Sequence, residues 1–243
     1  MKIGIIGSGE MGRVLATKFS NLGHTVSITN SRGPSSLKQF AEEIGAQAAT
    51  VEEVTKNKEV IIVSIPQKNV PDLPKNLFQQ LPNDVVVIDT GNYYPNLRDG
   101  VIPALVQSGI DSLWVQEQLG FPIVKVFNSI LATSLKDLGR SKGENNRIAL
   151  AVAGDNTKAK KVVFKLIDEL GFDSFDIGTI PQSWKQQPGS PIYCRDINRD
   201  ELKKRVEALG DEWSDMRKKI IGQRNADEVL MKADYPTYLK GLQ

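Results

Sequence analysis

Lys2-Ile3-Gly4-Ile5-Ile6-Gly7-Ser8-Gly9-Glu10-Met11-Gly12 opens the chain as a short apolar run that breaks into G-x-G-x-x-G. An amphipathic stretch, Met11–Leu22, follows at once. Strand, glycine turn and helix in that order make a dinucleotide site: Gly7 permits the tight turn, Gly9 admits a pyrophosphate to the backbone, and Gly12 brings the helix close to the strand. The helix N-terminus then faces the phosphates, so Gly7, Ser8, Gly9, Glu10, Met11 and Gly12 are candidate cofactor residues.

The end of the second strand, Thr25-Val26-Ser27-Ile28-Thr29, selects the dinucleotide. A carboxylate there binds the ribose 2′-hydroxyl of NAD, whereas this chain offers Asn30-Ser31-Arg32-Gly33-Pro34. Arg32 can pair with a 2′-phosphate for roughly 1.5–3 kcal/mol, and Ser31 can donate a further bond. NADP(H) is the expected cofactor.

Outward from this unit, strands and helices alternate, the pattern of a parallel sheet covered on both faces. Strands are expected at Ala46–Ala48, Val60–Ile65, Val85–Asp89, Val124–Phe127, Ile148–Ala153 and Ser174–Ile177, and a short helix at Leu37–Ile44. Thr50-Val51-Glu52-Glu53 has the form of a capping box opening another helix, and Asp155 that of an N-cap for Thr157–Leu170. The fold class is therefore α/β, a Rossmann-type doubly wound parallel sheet with a small, mainly helical C-terminal segment. A Pro-rich irregular segment, Ile180 to Pro191, sets the expected division: an NADP-binding unit over residues 1–180 and a helical segment over 181–243. In that segment Leu202, Val206, Leu209, Trp213, Met216 and Ile220 form one apolar stripe at alternating spacings of four and three. It covers either the chain's own body or a second subunit, and the expected use is a homodimer seam.

With 31 basic against 29 acidic residues the net charge is +2, which excludes a large nucleic-acid footprint. The longest apolar runs are strand length, so membrane insertion is not expected. Cys194 is the single cysteine, and the chain enters a strand without a leader-like run; a cytoplasmic protein is expected. One cysteine and one histidine make neither a metal cluster nor a Cys/His pair.

Ligands in such folds lie beyond the carboxyl ends of the strands. There Ser64, Ile65 and Pro66 would border the cofactor, and Asn92 and Asn128 would bond its carboxamide or the second substrate. His24 precedes the second strand, away from that end. Lys125, Lys136, Tyr93 and Tyr94 are the remaining acid candidates; Lys125 is expected on a covered or solvent-facing side, and the tyrosines as packing groups. With no placed acid, hydride exchange with a flavin-like ring fits better than reduction of a ketone, since the ring delocalises the incoming electrons. No catalytic residue is assigned from these residues.

The opening run, the Asn30-Ser31-Arg32-Gly33-Pro34-Ser35-Ser36-Leu37 element and Val126-Phe127-Asn128-Ser129-Ile130 together resemble the deazaflavin-coenzyme-dependent NADP oxidoreductases. They are similar also to the cytosolic NADPH domain of six-transmembrane metalloreductases. The resemblance implies NADP binding by Ser31 and Arg32, and a deazaflavin, FMN or FAD stacked over the nicotinamide near Ile130 and Ala132. Asn128 departs from the His that deazaflavin-using archaeal members carry there. Imine or carbonyl reductases, which share the Met11 form of the glycine motif, are a second reading, and a non-catalytic NADP(H) sensor a third.

Overall fold

A computed structural model describes residues 1–242. Eight strands form one sheet: β1 (Lys2–Ile6), β2 (Thr25–Thr29), β3 (Gln47–Ala48), β4 (Val60–Val63), β5 (Val86–Asp89), β6 (Ile123–Lys125), β7 (Ala149–Gly154) and β8 (Asp173–Gly178). The helices are α1 (Glu10–Asn21), α2 (Lys38–Glu43), α3 (Pro103–Ser108), α4 (Asp111–Leu119), α5 (Ala132–Asp137), α6 (Thr157–Glu169), α7 (Arg199–Leu209), α8 (Trp213–Ala233) and α9 (Tyr235–Leu242). The strand order β3-β2-β1-β4-β5-β6-β7-β8 is doubly wound, and it reverses direction between β1 and β4.

The apolar runs form strands because both sheet faces are covered. Along β4, Val60 and Ile62 join Leu15 and Phe19 of α1 and Leu166 of α6 in one core. Ile61 and Val63 point the other way, to Trp114, Val115 and Leu119 of α4. The close approaches of α1 to the β1 turn and of that turn to the end of β4 depend on two glycines. A Cβ at Gly12 would lie 2.2 Å from the Gly7 carbonyl oxygen, and one at Gly7, whose φ is +116°, 2.0 Å from that of Ser64.

One feature of the sheet is absent from the sequence pattern. β7 pairs antiparallel to β6, and β8 parallel to β7, so the last two strands end on the edge opposite the glycine turn. The chain returns through a 3-10 segment, Ile180–Gln186, whose Trp184 is fully buried. There Gln186 Nε2 donates to the Lys125 carbonyl at 3.2 Å, and Asn128 Nδ2 donates to the Gln186 carbonyl at 2.7 Å. This return delivers Tyr193 and Cys194 to the carboxyl ends of β5 and β6.

Several local expectations change. The capping box closes as expected, with Thr50 N–H donating to Glu53 and Glu53 N–H to Thr50 Oγ1, but the residues after it form turns and no helix. Asn156, not Asp155, caps α6, its side chain accepting from Lys158 and Ala159 N–H. Asp155 instead accepts from Ile180 N–H, tying the return segment to the end of β7. The apolar stripe is broken at Gly210, where φ is +68°. Leu202 and Val206 cover the alanines of β7, while Leu209 and Ile220 pack with Trp184 and Ile110. Most of the stripe thus packs inside the chain, with Trp213 and Met216 only partly buried.

Candidate functional site

Two cavities lie at the carboxyl ends of the strands, and they share Gly9, Ser64, Ile65 and Pro66. The shared residues sit at the reversal point between β1 and β4, so a ligand in one cavity can extend into the other.

The first cavity, about 740 Å³, is lined by Gly7, Ser8, Gly9, Asn30, Ser31 and Arg32 among others. Asn30 organises it. Its Nδ2 donates to Ser8 Oγ at 3.0 Å, and its Oδ1 accepts from Arg32 N–H at 2.9 Å and Ser36 Oγ at 3.1 Å. One side chain therefore fixes the glycine turn against the loop carrying Ser31 and Arg32. Both of those residues are exposed, and among the described residues the Arg32 guanidinium makes no ion pair. A Cβ at Gly9 would meet no protein atom within 4 Å, so nothing in the chain's own packing requires glycine there. A ligand phosphate against the backbone would require it.

The second cavity, about 310 Å³, contains Glu10, Met11, Asn92, Asn128, Ile130 and Ala132, the expected nicotinamide and acceptor side. Gly12 lines neither cavity and acts through packing. Asn92 and Asn128 face each other: Asn128 Nδ2 donates to Asn92 Oδ1 at 3.1 Å, and Asn92 Nδ2 to the Asn128 carbonyl at 2.9 Å. Asn128 Oδ1 is buried without a hydrogen-bond partner among the described residues. Such an acceptor is costly to leave unmet, and an N–H donor such as a carboxamide would satisfy it. The residues present fit NADP(H) on both counts, the open backbone at Gly9 and the unmet acceptor at Asn128.

Three further residues line this cavity that the sequence patterns do not mark as a group: Tyr94, Tyr193 and Cys194. The two phenol oxygens are 2.5 Å apart, and Asn92 Nδ2 donates to Tyr193 Oη at 3.1 Å. Burial pushes both phenols well above the usual tyrosine range and the Cys194 thiol up to about 12. All three hold their protons at neutral pH. Cys194 and Phe127, both at the cavity wall, have φ of +50° and +63°, a conformation held only where surroundings over-determine it. Tyr94 is thus a cavity wall and not only a packing group. Tyr93 is a packing group as expected, buried under the Arg224 guanidinium with its hydroxyl donating to the Gly100 carbonyl.

Lys125 is neither solvent-facing nor free to act as an acid. Its ammonium is buried against Asp89 at 2.8 Å and also donates to the Gly91 carbonyl. Asp89 completes the set by accepting from Gly91 N–H and Ser112 Oγ. This pair fixes the backbone on which Asn92 sits. Arg98 borders the cavity, bonded to Asp99 and to the Asn92 carbonyl and lying over the Tyr94 ring. Its loop is anchored from α8, where the buried Glu228 accepts from the N–H groups of Asn96 and Leu97. His24 lines neither cavity; it bridges the Met1 amine and Glu169, both at 3.0 Å. Among the described residues no cluster of His, Cys, Asp or Glu is arranged to hold a metal, and no helix is long and apolar enough to cross a membrane.

Residues 2–93 match the family model described as NADP oxidoreductase, coenzyme F420-dependent. Over 182 residues, 74% of the chain, it is 31% identical to metalloreductase STEAP3 of Rattus norvegicus. Over 55 residues, 23% of the chain, it is 46% identical to protein YjhV of Escherichia coli (strain K12), and these two matches span only 34% of STEAP3 and 40% of YjhV. Among solved structures, hypothetical protein SMa0349 of Sinorhizobium meliloti is similar at 27% identity with a TM-score of 0.65, covering 80% of this chain and 93% of that one. A protein of Arthrobacter sp. FB24 described as an F420-dependent NADP-reductase shares the fold at 23% identity and a TM-score of 0.63, covering 76% and 87%. Residues 2–93 therefore resemble the F420-dependent NADP oxidoreductases.

Proposed function

We propose that the protein is an NADP(H)-dependent oxidoreductase that exchanges hydride with a flavin or deazaflavin-type acceptor. The observation that carries the NADP(H) assignment is the Asn30 hub, which holds an unpaired Arg32 and Ser31 beside the glycine turn with no carboxylate at the end of β2. The adenosine 2′-phosphate meets Ser31 and Arg32, the pyrophosphate runs over Ser8, Gly9 and the N-terminus of α1, and Ser64, Ile65 and Pro66 carry the ligand into the second cavity. When bound, NADPH supplies the hydride. Asn128 and Asn92 orient the ring and Ile130 and Ala132 give its partner an apolar seat. Residues 1–180 form the nucleotide-binding unit in this reading, and residues 181–243 complete the acceptor cavity.

The acceptor is a deazaflavin coenzyme, FMN or FAD, by likeness to the family whose model matches residues 2–93. Imine or carbonyl reduction is the second reading, favoured by the tyrosine pair in the acceptor cavity. We place the protein in the cytoplasm as a homodimer. The test is rapid-mixing oxidation of NADPH against coenzyme F420, FMN and 1-pyrroline-5-carboxylate, with NADPH and NADH affinities measured by fluorescence titration. Preference for NADPH with turnover of at least one acceptor supports the reading. Equal affinities for the two cofactors refute the NADP assignment, and binding without turnover leaves a sensor.

A further inference from the structure

The Tyr94–Tyr193 pair has one proton more than its internal hydrogen bond uses. Two hydroxyls carry two protons, and only one can lie between oxygens 2.5 Å apart. Tyr193 Oη already accepts from Asn92 Nδ2, which donates and takes no proton in return. The second proton is left with the weakly accepting Cys194 sulfur or with the cavity that both phenols line. Burial disfavours a phenolate, and three groups offset part of that cost once one forms. Asn92 Nδ2 and the partner hydroxyl donate to it, and the Arg98 guanidinium lies 5.6 Å from the centre of the Tyr94 ring.

We propose that this pair is the proton donor to the hydride acceptor, which favours the second reading above, an acceptor protonated on nitrogen or oxygen beside the carbon that receives hydride, as in a C=N or C=O bond, over the flavin-type ring. The inference rests on the reading that NADPH delivers hydride in the second cavity. In the step, hydride leaves the nicotinamide C4 for the acceptor carbon and the double-bond electrons move to the adjacent nitrogen or oxygen. That atom takes the phenol proton. The phenolate is reprotonated from water after product leaves, so NADPH, one proton and the acceptor give NADP+ and the reduced acceptor.

The groups facing the pair are Cys194 beside it, Tyr238 from α9, and Arg98 from the loop after β5. Cys194 and Tyr238 are themselves pushed up by burial, and Arg98 is the one cation. The pair is accordingly neutral through the physiological range, and its loss of activity lies on the alkaline side.

The experiment compares the parent with Tyr94→Phe, Tyr193→Phe and the double variant. Coenzyme F420, FMN and 1-pyrroline-5-carboxylate are the acceptor probes, and NADPH affinity, set mainly at Ser31, Arg32 and the glycine turn of the first cavity, reports folding. A single variant keeps one phenol and loses less than the double. The double variant is expected to lose about 100-fold or more in kcat, the scale of general-acid catalysis, with NADPH affinity within about twofold. The parent's alkaline limb and its solvent deuterium isotope effect disappear with it. An ultraviolet difference titration, which needs no turnover, is expected to show Tyr94, Tyr193 and Tyr238 ionising only above the ordinary tyrosine range, with one such phenol fewer in each single variant. Turnover within about threefold of the parent in the double variant overturns the proposal and leaves the NADPH reading standing. Ionisation of either phenol near neutral pH also overturns it. Oxidation of NADPH with none of the probes overturns both.

Discussion

Lys125→Met isolates the buried ion pair beneath the acceptor cavity. Both side chains are nearly solvent-free, Lys125 at 1% and Asp89 at 2% exposure, so methionine fills most of the lysine's volume and the main change is an uncompensated carboxylate. Removing one partner of such a pair costs about 3–5 kcal/mol. Asp89 keeps the Gly91 N–H at 2.8 Å and Ser112 Oγ at 3.1 Å, which places the loss near the low end, about 3 kcal/mol. With a urea m-value at the upper end of the usual range, about 3 kcal/mol/M, the midpoint should fall by roughly 1 M. The assay is urea unfolding followed by fluorescence of the buried Trp114 and Trp184. Adding Asp89→Asn to Lys125→Met should recover part of the loss, because no charge is then left unpaired. A midpoint within about 0.3 M of the parent in the single variant would refute the claim that the pair holds this region together.

Arg32→Ala should weaken NADPH about tenfold or more and leave NADH nearly unchanged, as titration of both cofactors would show. His24→Ala should leave turnover within about threefold of the parent, because His24 sits between Met1 and Glu169 and lines neither cavity; collapse of activity in folded protein would contradict that placement. Asp111, fully enclosed, is pushed up to about 6 by burial despite the pull of Lys125 and Arg224. From about pH 4 to 6 the folded state keeps a proton that the unfolded chain has released, so stability falls as pH rises through that window. Asp111→Asn has no such slope, and its stability relative to the parent should climb by up to roughly 3 kcal/mol between pH 4 and 6 in urea titrations.

The nucleotide half was legible because its determinants are local. Gly7, Gly9 and Gly12 stand next to the elements they join, and Asn30 to Arg32 directly follow the strand that presents them. The lining of the second cavity was legible only as far as Asn92 and Asn128, each three residues beyond a strand. Tyr193 and Cys194 come from a proline- and glycine-rich return with no periodicity, and nothing local states that β7 runs antiparallel to β6. Lys125 misleads for a related reason: a lysine flanked by Val124 and Val126 has the alternation of a half-exposed strand, while its partner Asp89 lies on the neighbouring strand. The stripe in the C-terminal segment was visible as a pattern, but the turn at Gly210 divides it between two cores.

The reversal of β7 also sets an order of assembly. Turn and strand contacts in the nucleotide half span a few tens of residues, Asn30 reaching Ser8 across 22 positions, whereas Asn92 and Tyr193 meet across 101 and Tyr94 and Tyr193 across 99. Closing a chain segment four to five times longer costs about 1.3–1.4 kcal/mol more in loop entropy, and that cost falls before the contacts reward it. The glycine turn and its Asn30 hub are therefore expected to form early in folding and the tyrosine wall late, an order that pulse-labelling hydrogen exchange would read.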